Sequence, residues 1–124
     1  KLIKGIEEKI SGCKLNGPRG NKRLCNNINF SFEAVEGEAV GGYLDAEGIC
    51  SSTGSACSSK SLEPSHVLLA IGLKPQEAHG SLRLSLSKFN NEEDVKRVLD
   101  VLPKIIKKLR KISPFEKIVD KLIK

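Results

Sequence analysis

Two periodicities alternate along the chain, and the points where one gives way to the other mark out its elements. "KLIKGIEEKI" sets Leu2, Ile3, Ile6 and Ile10 on one helical face, with Gly12 beyond it as the terminator. "CKLNGPRGNKRLCNN" shows neither period, and its Asn-Gly-Pro marks a turn, so the segment reads as loop. "INFSF" then alternates, Ile28, Phe30 and Phe32 against Asn29 and Ser31, as a half-buried strand does. "EGEAVGGYLDAEG" returns to helical spacing and closes at Gly48. Gly41 and Gly42 inside it each cost about 1 kcal/mol relative to Ala, which implies close backbone packing or a soft helix. "GICSS" is a short strand, with Cys50 on it as buried packing.

After a Ser-rich loop, "EPSHVLLAIG" restarts a helix, with Pro64 in its first turn and Gly72 at its end. "GSLRLSLS" alternates strictly, sending Leu82, Leu84 and Leu86 inward and Ser81, Arg83, Ser85 and Ser87 to the other face. The strongest element is "NNEEDVKRVLDVLPKIIKKLRKI", whose Val95, Val98, Leu99, Leu102, Ile105, Ile106 and Leu109 form one apolar stripe. Asn90 with Glu93, or Asn91 with Asp94, supplies its cap, and acids at the start with bases at the end suit the helix dipole. Pro103 is expected to bend it near the middle. "PFEKIVDKLIK" adds a further amphipathic turn or two. This order predicts an α+β fold: a small, mostly antiparallel sheet covered mainly on one face by helices, with a long C-terminal amphipathic helix. The sheet's other face, carrying Arg83, is left to meet something else.

Length changes the picture little: 124 residues suit one domain, 1–124, and are few for an enzyme with its own cofactor pocket. With a helix under way at Lys1 and no methionine, the chain reads as a piece of something longer. Charge matters more in its placement than in its sum. Of the formal +6, Lys104 to Lys124 carries all, with eight Lys/Arg against two acids, while residues 1–103 hold 13 of each sign. A nucleic-acid surface needs stacking aromatics among such charges, and only Phe115 is there, so a solvated helix face or an acidic partner is expected instead. No apolar run approaches the ~20 residues of a membrane span. The four cysteines, Cys13, Cys25, Cys50 and Cys57, include no C-x-x-C and no zinc-finger histidine spacing, so no metal site is expected. Reduced thiols in the cytosol are the expectation.

The candidate chemistry lies in "STGSACSSKS". Cys57 sits among small residues that cannot build a core, which reads as a thiol exposed incidentally or as a nucleophile on an adaptable arm. Eleven residues from Ser52 to Leu62, at ~3.3 Å each, allow an arm to carry a thiol on the order of 15 Å out and back. An unperturbed thiol is only ~3% thiolate at neutral pH, so a partner site must activate it, with Lys60 helping slightly. Arg83, flanked by serines, keeps its fork open as a carboxylate clamp, although an arginine on a polar face is also commonly just solvated. His66 and His79 read as a helix-start polar group and a turn residue. Cys13 and Cys25 carry no assignment.

The stretch "SSTGSACSSKSLEPSHVLLAIGL", followed by "EAHGSLRLSLSKFNNEEDVKRVLDVLPKIIKKLR", resembles the C-terminal small domain of cysteine desulfurases of the NifS/IscS type. The resemblance extends through "NNINFSF", "VEGEAV" and "YLDAEGI". It implies that Cys57 is the nucleophile that takes sulfur from L-cysteine as a persulfide, releasing alanine, and that Arg83 holds the substrate carboxylate. The long Ser-rich loop is similar to the class whose cysteine swings between cofactor and acceptor. Pyridoxal phosphate, a homodimeric full enzyme and transfer of sulfur to an iron–sulfur scaffold or another acceptor are implied in the same way. The family's large domain, with its Schiff-base lysine and most cofactor contacts, is absent from these 124 residues. The isolated chain is therefore expected neither to hold the cofactor well nor to turn over cysteine. "AVGGYL" departs from the bulkier aliphatic residues usual at that point, which bears on helix stability. The basic tail, with Lys117 and Lys121, lies where family members engage scaffolds. A stand-alone sulfur-relay module and a selenocysteine lyase-like relative are the alternatives.

Overall fold

The computed structural model describes residues 1–54 and 63–113. Cys57 and Lys60, and the basic tail with Phe115, Lys117 and Lys121, lie outside the described residues. Helix α1 (Leu2–Lys9) leads into strand β1 (Cys13–Leu15), a single 3-10 turn (Gly20–Lys22) and strand β2 (Asn27–Phe32). Helix α2 (Gly37–Ala46) follows, then the short helices α3 (His66–Ala70) and α4 (Pro75–His79), strand β3 (Ser81–Ser85) and helix α5 (Glu92–Ile112). The strands form an antiparallel sheet in the order β1-β2-β3, so the expected α+β architecture with a long last helix is the one observed.

Alternation along β2 and β3 decides which face is core. Ile28, Phe30, Phe32, Leu82 and Leu84 are all buried, with the Phe30 and Phe32 rings stacked at 6.0 Å. Against them pack Leu2, Ile6 and Ile10, then Val40 and Leu44 of α2, and the α5 stripe of Val98, Leu102, Ile105, Ile106 and Leu109. Leu68, Leu73 and Ala78 make a small second cluster around α3 and α4.

Helix α5 begins at the second of the two expected caps. Asn91 Oδ1 accepts the N–H groups of Glu93 and Asp94, and Asp94 Oδ2 accepts the Asn91 N–H at 3.0 Å, closing a capping box. The helix continues through Pro103 to Ile112. A proline has no N–H for the carbonyl four residues back. That carbonyl, Leu99 O, instead accepts from Lys9 Nζ at 3.2 Å, so α1 repairs the ladder that Pro103 interrupts.

Four sequence expectations need correction. The segment read wholly as loop contains β1, because the open edge of β2 offers a ladder that even three residues can fill. Helix α4 went unread, since five residues carry no legible period; Glu77, whose carboxylate accepts the Lys74 N–H at 2.8 Å, starts it. Cys50 is exposed rather than buried, and among 49–54 only Ser52 makes a β-bridge. The side chains at Ser31 and Ser81 are buried although they belong to the polar face. At Gly41 and Gly42 no backbone packs close. A Cβ at Gly42 meets nothing within 4 Å, and at Gly41 only ordinary contact 3.5 Å from Ser51 Oγ. The close approach is at Gly37 instead, where a Cβ would strike the carbonyl oxygen of Ser81.

Candidate active site

The polar face of the sheet is ordered by its register. Asn27 stands opposite Ser85, Asn29 opposite Arg83, and Ser31 opposite Ser81. On one side of this face, α3 forms a wall, and α4 beside it is tied to β1 by a Lys14–Glu77 ion pair at 3.4 Å. On the other, the turn from Asn16 to Leu24 closes over the strands. A cleft of about 580 Å³ remains between them, lined among others by Arg83, Asn29, Arg23, His66, Val67 and Gly54.

Two arginines reach this cleft with different fates. Arg23 gives its guanidinium to three backbone carbonyls: Pro18 O at 2.8 Å, Asn27 O at 3.2 Å, and Asn16 O. Three of its five N–H groups are thereby spent on fastening the turn. Arg83 is exposed, and among the described residues its side chain makes a single long contact, Nη2 to Ser52 Oγ at 3.4 Å. Its fork is open to a ligand, as the serine-flanked strand pattern predicts.

Arg83 is also where the cysteine-bearing loop departs. Ser52 exchanges both backbone hydrogen bonds with Arg83, at 3.0 and 2.6 Å, so the chain heading toward Cys57 is pinned to the strand edge at the guanidinium-bearing residue. Thr53 O accepts from Ser81 Oγ at 3.4 Å, Ser52 Oγ donates to Gly54 O at 3.1 Å, and Gly54 lines the cleft. The remaining candidates divide. His66 lines the cleft as the first residue of α3, whereas His79 ends α4 and is not among its lining residues. Cys13 Sγ lies 3.0 Å from Ile10 O in donor geometry, and burial first, then Glu7, pushes its thiol up, which disfavours the thiolate a nucleophile needs. Arg23, Asn16 and Asn29 escaped the sequence reading. The alternation of "INFSF" did place Asn29 on the polar face, but its pairing with Arg83 depends on a register that pattern alone leaves open.

The described residues do not by themselves fit pyridoxal phosphate. None of the described residues lining the cleft is acidic, so none would face a protonated pyridine nitrogen, and Arg23 already gives three of its five N–H groups to backbone carbonyls. What the cleft provides is cationic side chains, Lys22, Arg23 and Arg83, and neutral donors, a set that suits a carboxylate.

Comparison with known proteins agrees with this reading of the architecture. Residues 1–98 match the model of the aminotransferase class-V family. The chain belongs to that family. It is 60% identical over 115 residues to a protein of Clostridium botulinum named cysteine desulfurase IscS, covering 92% of this chain and 29% of that protein. A Dictyoglomus turgidum protein of the same name is 56% identical over 115 residues, covering 93% of this chain and 29% of the relative. Among solved structures, a NifS-like protein superposes with a TM-score of 0.70 at 28% identity, over 86% of this chain and 25% of that one. Another, from Rickettsia africae, gives 0.67 at 25% identity, over 84% of this chain and 26% of that one. The chain thus spans under a third of the length of the curated relatives it matches. No helix among the described residues is long and apolar enough to cross a membrane.

Proposed function

We propose that this chain is the C-terminal small domain of a pyridoxal-phosphate-dependent cysteine desulfurase, with Arg83 as the clamp for the substrate carboxylate and Cys57 as the nucleophile. The observation that carries the proposal is the junction at Ser52, where the loop bearing Cys57 is hydrogen-bonded to the residue whose guanidinium stands open in the cleft. Cys57 stands three residues beyond Gly54, on the cleft wall, a reach of roughly 10 Å at ~3.3 Å each. A substrate anchored at Arg83 therefore lies within range of that thiol. The similarity to proteins named cysteine desulfurase, at 60% and 56% identity, supports the same reading.

In the proposed reaction a carboxylate oxygen pair of L-cysteine docks on the Arg83 fork in charge-assisted hydrogen bonds, which fixes the substrate sulfur toward the loop. The Cys57 thiolate attacks that sulfur. An S–S bond forms, the substrate Cβ–S bond breaks with its electron pair left on Cβ, and Cβ takes up a proton to give alanine. Cys57 keeps the sulfur as a persulfide for an iron–sulfur scaffold or another acceptor. Pyridoxal phosphate is assigned to residues outside this chain, and the full enzyme is proposed to be a cytoplasmic homodimer. Exposed Leu24, Val67 and Ile71 at the rim of the cleft fit a surface that closes on another protein layer.

The test is a peptide mass spectrum of alkylated protein after incubation with L-cysteine, with this chain alone and with a pyridoxal-phosphate domain present. One extra sulfur on the Cys57 peptide, only with that domain, is the expected result. An enzyme that makes alanine without ever placing sulfur on Cys57 contradicts the assignment. Sulfur accepted by the isolated chain from another persulfide-bearing protein, with no desulfuration by the pair, favours a relay module instead.

A further inference from the structure

The cleft contains a second polar group whose orientation is dictated from behind. Asn16 is only 4% exposed, and its Nδ2 donates to Asn29 Oδ1 at 2.6 Å and to Ser31 Oγ at 2.9 Å. Asn16 Oδ1 is buried with no hydrogen-bond partner among the described residues. Turning both amides over would exchange this orphaned carbonyl for a buried NH2 with two orphaned N–H groups. Buried N–H groups without partners are rarer in native structures than under-satisfied carbonyls, so the observed orientation is the favoured one.

That orientation commits Asn29 Oδ1 to Asn16 and leaves Asn29 Nδ2 with no hydrogen bond among the described residues. Asn29 is half-buried, lines the cleft, and stands directly across the strand pair from Arg83. An outward NH2 beside an open guanidinium makes an all-donor pair. Such a pair complements an anion with two oxygens and offers nothing to a cation. We propose that Asn29 is a second carboxylate-binding residue, donating from Nδ2 to the substrate α-carboxylate held by Arg83, and that Asn16 is the positioning residue that keeps this donor facing out. The assignment rests on the desulfurase reading and adds a specificity group to it.

Asn29→Asp in the full-length enzyme keeps the shape and the acceptor for Asn16 Nδ2, but replaces the outward donor with negative charge next to Arg83. Hydrogen bonds to charged groups are strong enough that KM for L-cysteine should rise roughly 10- to 100-fold, the loss falling on KM more than on kcat. Calorimetric binding of L-alanine against L-alaninamide reads the same contact without turnover. The variant should lose most of the wild-type preference for the free carboxylate, and Asn29→Ala should lose less of it. Equal shifts for alanine and alaninamide, or no shift for either, would overturn the role of Asn29. Wild-type enzyme that yields no alanine from L-cysteine would overturn the desulfurase reading, and this assignment with it.

Discussion

The two faces of the three-stranded sheet are built from alternate residues of the same strands, yet they obey different rules. On the core face Ile28, Phe30, Phe32, Leu82 and Leu84 are sealed beneath three helices, and shape fit is what matters. On the other face the residues between them, Asn29 and Arg83, line a cleft, and what matters is which donors are spent and which are left over. The two arginines of that cleft make the distinction within one residue type. Arg23 is structural because three carbonyls engage all three of its nitrogens, and Arg83 is available because, among the described residues, only one distant hydroxyl touches its guanidinium. Composition cannot separate them. The neighbours that fill or leave open each fork do.

The core face depends on shape fit most strongly at Leu102. Its side chain is 0% exposed under the core face, so Leu102→Ala should cost about 2–5 kcal/mol by combining lost transfer energy with a cavity. Chemical unfolding of the 124-residue chain measures this. A cost below ~1 kcal/mol would mean that α5 does not seal the core face as described.

A smaller effect sharpens the account of how α5 is held. A hydrogen bond from Asn90 first, then the Asn91 N–H, holds the Asp94 carboxyl below its ordinary value. A depressed carboxylate contributes stability that is present above its unfolded pKa of about 3.9 and is lost as pH falls through the lower folded value. Asp94→Asn should therefore lower the urea midpoint at neutral pH, and the gap from wild type should close in acid, below that range. A gap that widens in acid would contradict the capping assignment.

Much of this was legible in the sequence wherever a period ran long enough. The α5 stripe and the alternation of β2 and β3 led to the correct faces, and "SLRLS" put Arg83 on the polar one. What stayed hidden was short or depended on partners. β1 has three residues and α4 five, too few for either period to show. The burial of Ser31 and Ser81 follows from tertiary neighbours, the Asn16 amide on one and the close approach of Gly37 to the other. Cys50, expected on a strand, is exposed because that pairing reduces to a single bridge at Ser52. The pairing of Asn29 with Arg83 needed the register, and the free state of Arg83 needed the three carbonyls that occupy Arg23. The resemblance pointed to Cys57 and Arg83, and the register adds Asn29 beside Arg83.

The most direct test of the central claim compares two conservative changes in the full-length enzyme, Arg83→Lys and Arg23→Lys, by KM for L-cysteine and by thermal stability. A lysine keeps the charge but loses the planar fork. Arg83→Lys should raise KM roughly tenfold or more, the loss of one charge-assisted hydrogen bond, with little change in stability. Arg23→Lys should lower stability, because it loosens the turn that three carbonyls fasten, and should affect KM less. If instead Arg83→Lys destabilises the protein and leaves KM unchanged, Arg83 is a fold residue and the cleft is not the carboxylate site.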